Sequence, residues 1–154
     1  MATVDYMLLA DTATVAENKL YIHGAGWDSI LAATFPVEQP LISVVLRVRV
    51  PWAETNLPHE IELDVLDQDG SSIMPPDRVI KGQLNAGRPA GLPPGEDQVF
   101  PFVINLVGLK FEKPGNYVVV FSLDGLQAAE SRFRIAAMSR NVTVGMAPPN
   151  PPAQ

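Results

Sequence analysis

Cysteine is absent from the 154 residues, which excludes disulfide staples, thiolate nucleophiles and thiolate metal sites. Phosphate-cradling loops are missing as well. Neither GxxxxGK[ST] nor GxGxxG occurs, the patterns that bring backbone amides close to a phosphate. There is no GxSxG elbow, the strand-to-helix turn that exposes a nucleophilic serine. Only two histidines, His23 and His59, are available as a base. Charge is sparse, at 18% of residues, and tilts acidic to a net −6. Residues 1–106 hold 14 acids against 6 bases, whereas 107–154 hold 3 against 5. An acidic body without a basic stripe repels phosphate backbones, so no nucleic-acid partner is expected. No apolar run approaches a membrane span, and the opening MATVDYMLLADTATV lacks the basic and apolar segments of a secretory signal. The expectation is a cytoplasmic protein with no membrane partner.

Helical periodicity is also lacking; the hydrophobic period that is present is two. In LISVVLRVRV, Ile42, Val44, Leu46, Val48 and Val50 share one face, with Ser43, Arg47 and Arg49 opposite. HEIELDVLD sets Ile61, Leu63 and Val65 against Glu60, Glu62 and Asp64. Pairing the two as a hairpin, with residue 50 opposite 59, matches Arg49 to Glu60, Arg47 to Glu62 and Val48 to Ile61. Further strands are read at VDYMLLA, KLYIHGAGWDSI, QVFPFVINL, YVVVFSL and SRFRIA, with a weaker one at DRVIKGQL. Pro101 marks QVFPFVINL as an edge strand, since proline cannot donate to a ladder on both sides. Val118 and Val120 suggest that YVVVF is covered on both faces. In SLDGLQ an odd-length loop with Gly125 in a bulge aligns Tyr117, Val119 and Phe121 with Phe133 and Ile135. Thr14-Val15-Ala16-Glu17 matches a capping box and allows one helical turn. These signals predict an all-β chain of about seven or eight strands: an antiparallel β-sandwich, Ig-like or Greek-key, without a long helix. One domain over 1–137 and a Pro-rich, flexible tail over 138–154 are expected.

VDYMLLADTATV followed by KLYIHGAGWDSI, then LRVRVP, LDQDG and FEKPGNYVVVFSLDG, together resemble one bacterial domain-of-unknown-function family. Its members are small intracellular β-sandwich proteins common in actinobacteria. The similarity covers roughly residues 3–136, and the LLAD…KLYIHGAGWDSI order is its most specific part. The resemblance implies a fold and no activity, and it supplies no catalytic residues.

Each candidate chemistry has a plainer structural explanation. Asp64–Gly70 has the acids of a calcium loop, but Val65 and Pro76 fall where an EF-hand needs its first and last ligands. A hairpin turn with solvated acids fits better, and no metal or cofactor is expected. His59 begins a strand on the inward parity, and Glu60 and Glu62 fall beside arginines, so no catalytic residue is assigned. The 88–94 segment RPAGLPP has the composition of a polyproline ligand, but a stiff connection is the favoured reading, since loops of this length also occur as plain connections.

YIHGAGWDSI (21–30) holds the ligand-binding candidates Tyr21, His23, Trp27 and Asp28. Strict alternation sets Tyr21, His23 and Trp27 on one face as an aromatic platform. A bulge at Gly24 or Gly26 would instead send Trp27 to the core, and glycine within a strand favours the bulge. The function expected is a non-enzymatic binding or assembly module whose partner is another protein or a second copy. The alternatives are a small-ligand or carbohydrate-binding sandwich using Tyr21, His23 and Trp27, and, behind it, a hydrolase with His23 or His59 as base.

Overall fold

Period-two patterning becomes nine strands within residues 1–139, the part of the chain that the computed structural model describes. The expected tail lies outside the described residues from 140 onward. One sheet contains β1 (Thr3–Ala16), β2 (Lys19–Ala25), β4 (Val37–Val50) and β7 (Gln98–Phe111), in the order β2-β1-β4-β7. The other contains β3 (Ser29–Ala32), β5 (Pro58–Leu66), β6 (Ile80–Asn85), β8 (Gly115–Leu123) and β9 (Leu126–Ala137), in the order β3-β9-β8-β5-β6. The inner faces pack into one core. Ile42, Val44, Leu46, Val48 and Val50 meet Leu63, Val65, Val119, Phe121 and Ile135, all at most 1% exposed. At about 1.5–3 kcal/mol for each fully buried large aliphatic or aromatic side chain, this seam is the main source of stability. No helix among the described residues is long and apolar enough to cross a membrane.

The alternation of β4 and β5 is as read, but their pairing is not. β4 lies between β1 and β7, and β5 between β8 and β6. The expected Arg49–Glu60 and Arg47–Glu62 pairs are replaced by Arg47 and Arg49 on Asp5, and by Lys81 on Glu62. Two alternating strands with one apolar face each can pair side by side or face each other across a core. The connection decides between these. A short 3-10 turn at Trp52–Glu54 carries the chain from one sheet to the other. Arg88 clamps that turn, donating to Thr55 Oγ1 at 2.7 Å and to the Trp52 carbonyl at 3.0 Å, with its guanidinium 4.1 Å over the Trp52 ring. Asp5 is the extra residue of a bulge in β1, so its carboxylate reaches two arginines of β4. The Arg49 hydrogen bond holds the Asp5 carboxyl below the usual carboxylate range.

Other local readings change for identifiable reasons. The capping-box segment is strand and turn, not helix: Glu17 and Asn18 both take positive φ, and Ala16 pairs with Lys19 across a two-residue hairpin. In β8–β9 the loop is the two-residue Asp124-Gly125, with Leu123 opposite Leu126. The register shift falls one step further on, past Ser122, and it restores Tyr117 opposite Phe133. The core alignment expected from an odd loop is therefore reached by an even loop plus a bulge in β9. KLYIHGAGWDSI divides into β2 and β3, one strand in each sheet, which raises the strand number. Because β3 enters the second sheet from the first, it runs parallel to β9, the one parallel ladder in an otherwise antiparallel pairing scheme among the described residues. Val118 and Val120 lie half-buried on the outer side of the second sheet, opposite Arg132 and Glu130 of β9.

The outer side of the first sheet carries a small second core. Ala10, Ala13 and Val45 are buried there with Leu8, Leu20, Ile22 and Val103 against them. The β1–β2 hairpin thus folds over β4 and β7. Beyond Ala10 the β1–β4 ladder ends, and the side chain of Ser43 takes over. Its Oγ accepts the Ala13 N–H at 3.2 Å and donates to Asn105 Oδ1 at 2.7 Å.

Candidate binding site at the β7 edge

The four residues expected to bind a ligand are not brought together. Tyr21, 50% exposed, and His23 project from the side of β2 opposite Leu20 and Ile22. Gly24 and Gly26 both take positive φ, which ends β2 and turns Trp27 inward. Its ring packs edge-on against Phe133 with centroids 6.1 Å apart, beside an aromatic group formed by Phe111, Tyr117 and Phe133. Asp28 lies on the other sheet, where its carbonyl accepts the Arg134 N–H at 2.8 Å. It lines a shallow hollow of about 630 Å³ with Arg132 and Arg134. A flat row of Tyr21, His23 and Trp27 is not formed, because the strand that would carry it breaks at the glycines.

His59 is 3% exposed, and its Nδ1 lies 2.8 Å from Asp124 Oδ2. A carboxylate only accepts, so Nδ1 carries the proton. Nε2 is buried, without a hydrogen bond, and 3.9 Å from Glu54 Oε2. An Asp–His pair orients a base in hydrolases, but among the described residues no hydroxyl is hydrogen-bonded to this ring. The pair instead ties a turn to a strand. Asp124 Oδ1 accepts the Glu60 N–H at 2.9 Å, and Asp124 N–H donates to the Glu60 carbonyl at 2.8 Å. The hydrogen bond from His59 holds the Asp124 carboxyl below its ordinary range.

Asp67 organises the supposed calcium loop as a turn, its Oδ1 accepting the amides of Asp69 and Ser71. The 88–94 segment is folded into turns, with Leu92 N–H on the Pro89 carbonyl and Glu96 N–H on that of Pro93. This is not the extended form a polyproline groove recognises.

The sheet edges differ more than the sequence indicated. Among the described residues four strands are edges: β2, β7, β3 and β6. An open edge displays unpaired N–H and C=O groups and is normally blunted by shortness, lysine, proline or a twist. β3 has four residues. β6 has six and carries Lys81. β2 has seven, starts at Lys19 and breaks at Gly24. β7 has fourteen residues and no charged side chain before Lys110. It pairs with β4 along its whole length, and its other side carries no strand.

Pro101 fixes the orientation of this edge. It lies opposite Arg47 in an unbroken ladder, so its missing N–H belongs on the side away from β4. By alternation, Val103, Asn105 and Val107 turn their N–H and C=O groups to the same open side. Val107 is 71% exposed. At Gly108, φ is +64°, and the side-chain alternation resets so that Leu106 and Leu109 are both buried.

Beside this edge a cleft of about 1130 Å³ opens between Asn105–Lys110 and the Ile73–Ile80 segment. Met74, Leu106, Leu109 and Tyr117 are buried residues of its lining. Both signs of charge stand at its rim, with Glu38 and Asp77 against Arg78 and Lys110. The Tyr117 hydroxyl donates to the Lys113 carbonyl at 2.7 Å, and burial raises its pKa. Pro101 was the one sequence signal for this site; the 73–80 wall carried none, being distant in sequence from β7.

Among solved structures, the chain is similar to the Pseudomonas fluorescens alkylpurine DNA glycosylase AlkC bound to DNA containing an abasic site analog. That match has 12% identity and a TM-score of 0.42, covering 88% of this chain and 30% of that one. The chain thus spans under a third of that protein's length, and a likeness this distant carries no argument about function. No curated protein matches the sequence. The model of a family of unknown function, DUF6941, matches residues 5–136, and the chain belongs to that family.

Proposed function

We propose that this domain is a non-enzymatic binding module that takes up an extended segment of another protein chain along the open edge of β7. The observation that carries the reading is the contrast among edges: three are four to seven residues long, and the fourth has fourteen, with no charged side chain before Lys110. Main-chain groups at Val103, Asn105 and Val107 supply affinity for any extended backbone. The adjoining cleft receives alternate side chains and supplies selectivity. Its buried apolar lining favours aliphatic side chains, and its rim of both signs favours no strongly charged ligand. The Tyr117–Lys113 bond is a tyrosine-corner feature, and we read the scaffold as Ig-like, working in a bacterial cytoplasm.

Val107→Pro tests this reading. It removes one outward donor and leaves the β4 ladder in place, as Pro101 does naturally. Extended peptides selected from a displayed library on the wild-type domain should lose binding to Val107→Pro while its melting temperature stays close to that of the parent. Peptides that bind both proteins equally would refute the edge as the site.

A further inference from the structure

We infer that the strand seated on β7 is β7 of a second copy, joined antiparallel about a two-fold axis through Asn105. This rests on β7 being the recognition edge, and it deepens that reading by naming the partner. The outward-bonding residues are odd-numbered, so only registers that set odd opposite odd make hydrogen bonds. Registers centred on Val103 and Ile104 would bring Pro101, which has no N–H, opposite Asn105 and Val107 inside the ladder. One centred on Leu106 would set Val103 opposite Leu109, beyond the reset of alternation at Gly108. The register centred on Asn105 leaves Pro101 at the end, opposite Leu109.

That register also makes the side chains complementary. Val107 of one copy lies beside Val103 of the other on the outer face, and Asn105 lies beside Asn105. Ile104 lies beside Leu106 on the inner face. The contact is isologous, as two-fold symmetry requires, because each pair occurs twice. Charge does not oppose it: two chains of net −6 repel in general, but β7 carries no charged residue from Gln98 to Leu109. The first charged side chain, Lys110, falls opposite Phe100. Joining the edges makes one eight-stranded sheet from the two four-stranded ones and covers Val107, among the most exposed large hydrophobic residues described.

Sedimentation equilibrium of the full chain tests the inference. A monomer–dimer equilibrium is expected, and Val107→Lys should weaken it by about tenfold or more, because the lysine stands in the apolar strand pair. A single cysteine tests the register. Asn105→Cys should form an intermolecular disulfide under mild oxidation, since directly opposed residues of a ladder lie within disulfide reach. Leu126→Cys, 59% exposed and away from β7, should not do so at the same rate. A dimer that persists unchanged in Val107→Lys, or equal crosslinking at 105 and 126, would overturn the inference. A wild-type monomer at all concentrations would also overturn it. If that monomer still bound peptides in a Val107→Pro-sensitive manner, the edge reading would stand with a different partner.

Discussion

Replacing Ser43 with alanine removes the link between the β1–β2 hairpin and the sheet beneath it. Ser43 is fully buried, and its hydroxyl makes two hydrogen bonds, to the Ala13 amide and to Asn105 Oδ1. The two lost bonds are not equivalent. Asn105 is exposed and regains water, so its share is small. Ala13 is 3% exposed, and leaving its N–H unpaired costs about 1–3 kcal/mol. The substitution should therefore lower stability by about 2 kcal/mol, or roughly 4–8 °C in Tm for a chain of this size. Asn105→Ala removes only the exposed acceptor and should cost about 0.5–1 kcal/mol. Urea unfolding of the three proteins gives the order, with an unchanged m-value showing that the folded state is otherwise intact. Ser43→Ala within 0.5 kcal/mol of the parent, with the Ala13 amide exchanging no faster, would refute the account of how the hairpin is held.

Three further outcomes follow from other parts of the fold. Gly24→Ala should cost more than Gly26→Ala in a thermal melt, at least about 1–2 kcal/mol. Both positions take positive φ, but a Cβ at Gly24 also overlaps the Asp11 carboxylate, whereas Gly26 faces open space; equal costs would contradict this. Trp27→Ala should destabilise by about 3 kcal/mol, toward the low end for a large aromatic because the ring is half-buried. Tyr21→Ala should stay within about 0.5 kcal/mol, as exposed positions do, and comparable losses would contradict the assignment of Trp27 to the core. Asp124 has its pKa depressed in the folded state by the His59 hydrogen bond. Its contribution is therefore complete above the unfolded-state value of about 3.9 and is lost as pH falls through the lower folded value. Asp124→Asn suits the turn and should flatten the fall in stability below about pH 4; an acid limb as steep as the parent's would count against it.

Much of the strand content was legible because alternation is local. Ile42 to Val50 and Phe133 with Ile135 were placed inward by pattern alone, and they are buried. The partner of each strand was not legible. Arg49 and Glu60 match as a hairpin on paper, yet the choice was made by the turn at Trp52–Glu54 and by Arg88, 36 residues from its Trp52 acceptor. The Asp5 bulge was hidden because one extra residue in a ladder leaves no composition signal. The parity of Trp27 was correctly posed as a question about Gly24 and Gly26, whose backbone angles answer it. At the candidate site, Pro101 identified an edge strand, but only the sheet order shows that the edge continues unprotected through Val107. The His59–Asp124 pair spans 65 residues and had no sequence signature.

Residue-resolved amide hydrogen exchange along β7, in the wild type at high concentration and in Val107→Lys, tests the β7 edge most directly. The amides of Phe102, Ile104 and Leu106 bond to β4 in this account and should be protected in both proteins. Those of Val103 and Asn105 should be protected in the wild type and exchange rapidly in the variant. Rapid exchange at both positions in both proteins, or equal protection in both, would contradict the claim that this edge pairs with another strand.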